Sequence, residues 1–203
     1  KMNSSKTNIF VTSFLIFKEA LKGENQDYTK GDISKSVLLL AIPMILEMSM
    51  ESVFALVDIY FVGHLPNSSY TVQTVGLTES VLSIVYALAI GIAIAATAVV
   101  ARRVGAKNQE GAKIAATQSI WVALFVSLIL SILGYFFASQ ILGLMGADAE
   151  TIKMGTPYAQ IMFVGCLPIM LLFLINGIFR GAGNAAIAMK SLWLANICNI
   201  ILC

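Results

Sequence analysis

The stretch Val37–Val62, VLLLAIPMILEMSMESVFALVDIYFV, decides the fold. It is longer than the roughly 20 apolar residues a bilayer-crossing helix needs, and its only charged side chains are three acids, Glu47, Glu51 and Asp58. At about 100° per residue, offsets of four and eleven place all three within roughly 40° of one helical face. A carboxylate at bilayer depth is costly unless it is paired, hydrated or protonated, so such residues normally face a bundle interior or a water-filled cavity. The stripe predicts a polar pathway.

Working outward, 58% of the chain is apolar and only 12% charged, against roughly 25% charged in an ordinary soluble domain. With a mean hydropathy of +0.85, the sequence reads as an integral membrane protein of the all-α, polytopic helix-bundle class. The net charge of +2 is small and the basic residues are dispersed, which argues against a nucleic-acid partner. Cys166, Cys198 and Cys203 all lie in apolar runs, where a free thiol behaves as a small hydrophobe. His64 is the only histidine and there is no Cys-x-x-Cys pair, so no zinc site and no cofactor is expected.

Five candidate spans emerge, at Val37–Val62, Leu77–Ala101, Ile114–Leu142, Thr156–Phe179 and Ala185–Cys203. The last stops at the chain end, so the sequence is expected to be part of a longer protein. Lys1, Lys6, Lys18, Lys22, Lys30 and Lys35 precede the first span, and Arg102, Arg103, Lys107 and Lys113 flank the gap between the second and third. The gap Gly63–Gly76 has no Lys or Arg, and this asymmetry predicts a cytoplasmic amino terminus. Residues 1–32 read as a separate interfacial segment and residues 33–203 as the bundle. Ile9–Phe17 is too short to span, and Lys18–Lys30 reads as a charged, partly helical approach to the membrane. A signal peptide is the weaker reading, since no small-x-small cleavage site follows.

Pro43 falls in the first span, and Pro157 and Pro168 in the fourth, where each is either an ordinary kink or a functional break. Gly91, Ala95, Ala96 and Ala98 are expected to form a small-residue packing surface on the second span. Met44, Met48 and Met50 could line a permissive binding surface, with packing as the default. Asn176 and Arg180 read as a helix end and its anchoring turn, and Glu79 as an interfacial acid.

Set beside known families, Leu39–Leu65 (LLAIPMILEMSMESVFALVDIYFVGHL) resembles the first helix of multidrug and toxic compound extrusion (MATE) transporters. Val99–Ala112 (VVARRVGAKNQEGA) is similar to that family's connection between its second and third helices, Asn176–Asn184 (NGIFRGAGN) to its turn after the fourth, and Trp193–Cys203 (WLANICNIILC) to its fifth. The resemblance implies most of the amino-terminal lobe of a twelve-helix antiporter. Such a protein sits in the cell (inner) membrane and exports amphipathic, often cationic xenobiotics in exchange for H⁺ or Na⁺. Its partners would be those small molecules, the lipid bilayer and a carboxy-terminal lobe of the same protein.

The resemblance also implies a cation-coupling site built from an Asp on the first helix and an Asn and Asp four apart on the fifth. Asp58 and Asn199 match two of these positions, and Cys203 stands at the third. Since Na⁺ prefers hard oxygen ligands, a thiol there favours a proton on Asp58 over Na⁺ held by Asp58 and Asn199. Glu47 and Glu51 read as separate cation-attracting or proton-relay groups. The competing readings are a related lipid-linked saccharide flippase, which would need a strongly cationic cavity, and a non-transporting membrane scaffold. An intramembrane enzyme is not expected, because no nucleophile and base pair stands out.

Overall fold

The computed structural model describes residues 15–22, 32–64 and 68–202, and all regular structure among them is α-helical. A short helix α1 (15–22) precedes α2 (Ile33–Gly63), α3 (Ser68–Gly105), α4 (Gln109–Leu144), α5 (Ala149–Val164), α6 (Cys166–Gly181) and α7 (Ala185–Leu202). Four stretches are long and apolar enough to cross a membrane: Ile33–Phe61, Val72–Gly105, Gln109–Leu144 and Ala149–Gly181. Ala185–Cys198 is a shorter apolar helix. The membrane helix bundle expected from hydropathy is therefore present.

Most helices overrun the apolar windows. The third begins before Ile114 because its start is set by a cap: the Asn108 side chain accepts a hydrogen bond from the Gly111 amide at 2.8 Å. Lys107, at φ 58°, turns the chain into that cap. Hydropathy marks where a helix crosses lipid, whereas capping and turn residues mark where it stops. Near the amino terminus, α1 buries Ala20 and is tied to α2 by an ion pair between Glu19 and Lys35 at 2.8 Å. The Lys190 ammonium also reaches the Lys22 carbonyl, at 3.4 Å. The rest of residues 1–31, including most of Ile9–Phe17 and of Lys18–Lys30, lies outside the described residues.

The fourth span is two helices. Pro168 has no N–H, so the Val164 carbonyl loses its usual donor one turn ahead and the ring crowds that carbonyl. The helix breaks at Gly165, which ends α5 and opens α6. Beside the break, Ser131 of α4 donates its hydroxyl to the Phe163 carbonyl at 2.9 Å. Pro43 and Pro157 lie within α2 and α5 without ending either helix.

The core gathers around α3. Leu82, Val85 and Ala89 pack with Ala138 and Leu142 of α4, Phe163 of α5 and Met170 of α6. Residues such as Leu56, Phe125, Phe136 and Ile161 point away from the protein, which a bilayer tolerates because lipid is as apolar as they are. The expected small-residue surface needs correction. Ala96 is buried, but Gly91, Ala95 and Ala98 are exposed. The buried row is Ala89, Ala93, Ala96 and Val100, whose spacing of four, three and four keeps one helical face. Gly91 lies about 200° from Ala89 and so cannot share it.

That row meets α6 at close range. A Cβ on Gly177 would stand 2.8 Å from the Ala93 carbonyl oxygen, and one on Gly181 would stand 2.6 Å from that of Thr97. The Thr97 hydroxyl completes the seam, 2.7 Å from both the Ala93 and Gly177 carbonyl oxygens. Without side chains at Gly177 and Gly181, the two backbones approach closely enough for this contact.

Candidate functional site

The acidic stripe divides into three different environments. Glu47 is buried, at 7% exposure. Its Oε1 accepts a hydrogen bond from Arg180 Nη1 of α6 at 3.0 Å, and the side chains of this ion pair are 8% and 19% exposed. Glu51, one turn further, is exposed within the protein. Asp58 is half-buried and lies about 16 Å from Glu47 along the helix axis.

Glu47 and Glu51 share a cleft of about 360 Å³ between α2, α3 and α6. Leu40, Met44 and Met48 of α2, Ile90 and Ile94 of α3 and Phe173 of α6 supply its apolar walls, and Thr97 and Arg180 are its other polar residues. Two of the three methionines flagged in the sequence, Met44 and Met48, thus line it; Met50 is not among its lining residues. Asp58 is not among them either. It lies near enough to Glu79 of α3 for their charges to interact, and Tyr158 of α5 feels both. Glu79 is exposed.

The expectation for Asn176 and Arg180 holds for the helix end, since Arg180 is in the last turn of α6, but not for the direction of their side chains. Asn176 is 3% exposed and its Oδ1 accepts a hydrogen bond from the Ser191 hydroxyl of α7 at 3.1 Å. Arg180 belongs to the last turn of α6 but points inward to Glu47. The turn that follows is made by Gly183, at φ 87°, and by Asn184, whose Oδ1 accepts from the Ile187 amide at 3.3 Å to cap α7. Nearby, Trp193 of α7 donates its indole N–H to the Leu46 carbonyl at 3.4 Å. Glu47 therefore sits where α2, α6 and α7 are stitched together. A signal was available: Asn176, Gly177, Arg180 and Gly181 repeat at helical spacing and place the polar and the small residues of α6 on one face.

Glu47 Oε2 is enclosed and, among the described residues, has no hydrogen-bond partner. Leaving a buried charged oxygen unsatisfied costs more than a missing neutral hydrogen bond, so the atom is poised to accept a donor. Asn199 lies on α7, but its side chain and Cys203 lie outside the described residues. The pairing of Asp58 with those two positions is not part of the described structure.

Comparison with known proteins follows the same outline. Residues 43–203 match the profile of the MatE family. The multidrug export protein MepA of Staphylococcus aureus (strain bovine RF122 / ET3-1) is 26% identical over 175 residues, 86% of this chain and 39% of the relative. A MOP superfamily transporter from Pyrococcus furiosus superposes with a TM-score of 0.81 at 30% identity, covering 88% of this chain and 39% of the other. A MATE transporter in complex with MaD3S superposes with a TM-score of 0.82 at 30% identity, covering 88% and 40%. The chain thus spans about two fifths of the length of these relatives. Since the family match covers all but the first part of the bundle's opening helix and runs through α7, the chain belongs to the MatE family of membrane transporters.

Proposed function

We propose that this chain forms the amino-terminal lobe of a secondary active multidrug exporter, carrying amphipathic, often cationic compounds out in exchange for H⁺ or Na⁺. The observation that carries the reading is a helix, α2, with acids at three depths in a chain related to a multidrug export protein. In an antiporter, an ion and a cargo bias the same pair of conformations, and an acid in the bundle can exchange a proton for a cationic partner. Asp58 is the coupling acid in this reading, with Asn199 as its neutral partner and Cys203 making Na⁺ the poorer guest. Glu47 and Glu51 attract the cation.

The sign of the charge in the cleft bears on the cargo. The Pyrococcus furiosus relative is described as having a reversed pocket polarity that suggests a different function. Here the partly buried base Arg180 is already paired with Glu47. It is therefore not free to bind a pyrophosphate head, and a saccharide-lipid flippase is disfavoured.

The test is efflux from proteoliposomes holding the full-length protein, under a pH gradient and then a sodium gradient. Asp58→Asn should lose gradient-driven efflux while inserting normally, because the amide keeps the shape but mimics permanent protonation. Efflux at the native rate would remove Asp58 from the mechanism. In this reading the amino terminus lies in the cytoplasm, so Glu110→Cys should be labelled from the cytoplasmic side of the cell membrane and Glu150→Cys from the outside. Labelling of both from one side would overturn that topology.

A further inference from the structure

The turn between α3 and α4 builds a second cleft, and its charge is of the opposite sign. Arg102 and Arg103 stand in the last turn of α3. Beyond them Lys107, at φ 58°, reverses the chain: its amide donates to the Val104 carbonyl and the Asn108 amide to the Arg103 carbonyl, each at 2.9 Å. This is the Schellman pattern of bonds, which sets the residues at its two ends, Arg103 and Asn108, beside each other. Gly111 leaves room for both side chains. A Cβ there would stand 2.6 Å from Arg103 Nη1 and 2.7 Å from Asn108 Nδ2, so the two donors lie together over its Cα. Since Asn108 Oδ1 accepts from the Gly111 amide, the Nδ2 of that side chain remains as a donor. Arg102, Arg103 and Asn108 line a cleft of about 430 Å³ with Val99 and Ala106. Among the described residues neither arginine has an ion-pair partner. The acid next to them in the chain, Glu110, is paired with Lys113 at 2.9 Å, which leaves two guanidinium charges uncompensated.

The position of the cleft selects its anion. Both arginines lie at the end of the apolar stretch Val72–Gly105, where long basic side chains reach the headgroup layer. Val99, about 5 Å deeper along the helix axis, is 45% exposed. The cleft is therefore basic at its rim and apolar beneath, the complement of an anionic phospholipid. We propose that it holds the phosphate of such a lipid, with Arg102 and Arg103 pairing the phosphate oxygens, Asn108 Nδ2 donating a hydrogen bond and Val99 meeting the start of the acyl chains. Bound there, the lipid ties the α3–α4 turn to one leaflet. That the leaflet is the cytoplasmic one rests on the topology proposed above, whereas the binding chemistry does not.

Native mass spectrometry of the full-length protein in detergent tests the site, with phosphatidylglycerol, phosphatidylcholine of the same acyl chains and soluble glycerol phosphate as probes. The first phosphatidylglycerol should bind about tenfold more tightly than phosphatidylcholine, because two bases face its net charge. Glycerol phosphate at equal concentration should not displace it, since the apolar part of the cleft then stays empty. The double variant Arg102→Gln/Arg103→Gln should bring the two lipids to nearly equal affinity. If that variant fails to fold, Arg102→Gln alone decides, since Arg102 is exposed; it should lower the preference about threefold. Gly111→Ala keeps every charge but claims the space of Arg103 Nη1 and Asn108 Nδ2, and should lower the preference as well. Lys153→Gln, in α5 beyond the far end of α4, should leave it unchanged. Equal binding of both lipids by the native protein, displacement by glycerol phosphate, an unchanged preference in folded Arg102→Gln or Gly111→Ala, or an equal loss in Lys153→Gln would overturn the site. The assay has no sidedness, so an error in the topology leaves its result intact.

Discussion

The contacts that α3 makes with α6 and with α2 are built on opposite principles. Toward α6, Ala93 and Thr97 meet Gly177 and Gly181 so closely that neither glycine has room for a Cβ. Toward α2, the helices part around a cleft, and Met44 and Met48 are left substantially exposed. In lipid there is no hydrophobic force to close such a gap, so helices adhere where small residues and hydrogen bonds allow close contact. The α3–α6 seam is the frame. Helix α2 joins this frame by packing along α7 and through polar ties, chiefly Glu47 to Arg180 and Trp193 to the Leu46 carbonyl.

The largest expected effect comes from cutting the main tie. Arg180→Ala leaves Glu47 buried without its partner and should destabilise the bundle by about 3–5 kcal/mol, read from unfolding in detergent. In an Arg180→Met/Glu47→Gln double variant much of that loss should return, because no buried charge is left unpaired. A loss below about 1 kcal/mol in Arg180→Ala, the scale of an exposed ion pair, would break the contrast by showing that α2 is held some other way.

A smaller effect is expected from wedging the frame. Gly181→Val places a side chain against the Thr97 carbonyl, and should cost about 1–3 kcal/mol by overpacking. It should also raise amide exchange in both α3 and α6. Gly91→Val is the control, since nothing lies within 4 Å of a Cβ there. Equal costs for the two variants would mean that the seam is looser than its geometry.

The smallest effect lies away from both regions, at the start of α5. The Asp148 carboxylate accepts from Thr151, whose side chain and backbone amide hold its pKa below the usual aspartate value. Because the folded value is the lower one, the cap's contribution is fully present above the ordinary aspartate pKa. It is lost as pH falls through the depressed folded value. Amide exchange at the first turn of α5 should therefore rise only in strongly acidic solution, leaving the α3–α6 seam unchanged. Onset near neutral pH would contradict this.

Much of the architecture was legible because lipid imposes a strong per-residue constraint. Long apolar windows located the spanning stretches to within their capped ends, and the quoted segments pointed to the family before any contact was known. The site was less legible. Glu47, Glu51 and Asp58 look alike on a helical projection, yet one is buried and paired, one is exposed in a cleft and one is half-buried elsewhere. Arg180 was read as an anchor because a base near a helix end usually is one. The row Gly91, Ala95, Ala96 and Ala98 was misjudged because composition shows how many small residues a helix has and leaves open which face they occupy.

By itself, the sequence determined that this is a membrane helix bundle, where its spans run and that α2 carries acids on one face. Those properties follow from local transfer energies and from the fixed periodicity of a helix. Only the tertiary structure decided which acid finds a base, because Glu47 and Arg180 are 133 residues apart and meet through the rotation and approach of separate helices. The same rotation assigned Gly177 and Gly181 to the close seam and left the cleft beside it, between α2, α3 and α6. Hydropathy sets a helix's depth in the membrane and says nothing of the direction it faces; packing between neighbours sets that direction.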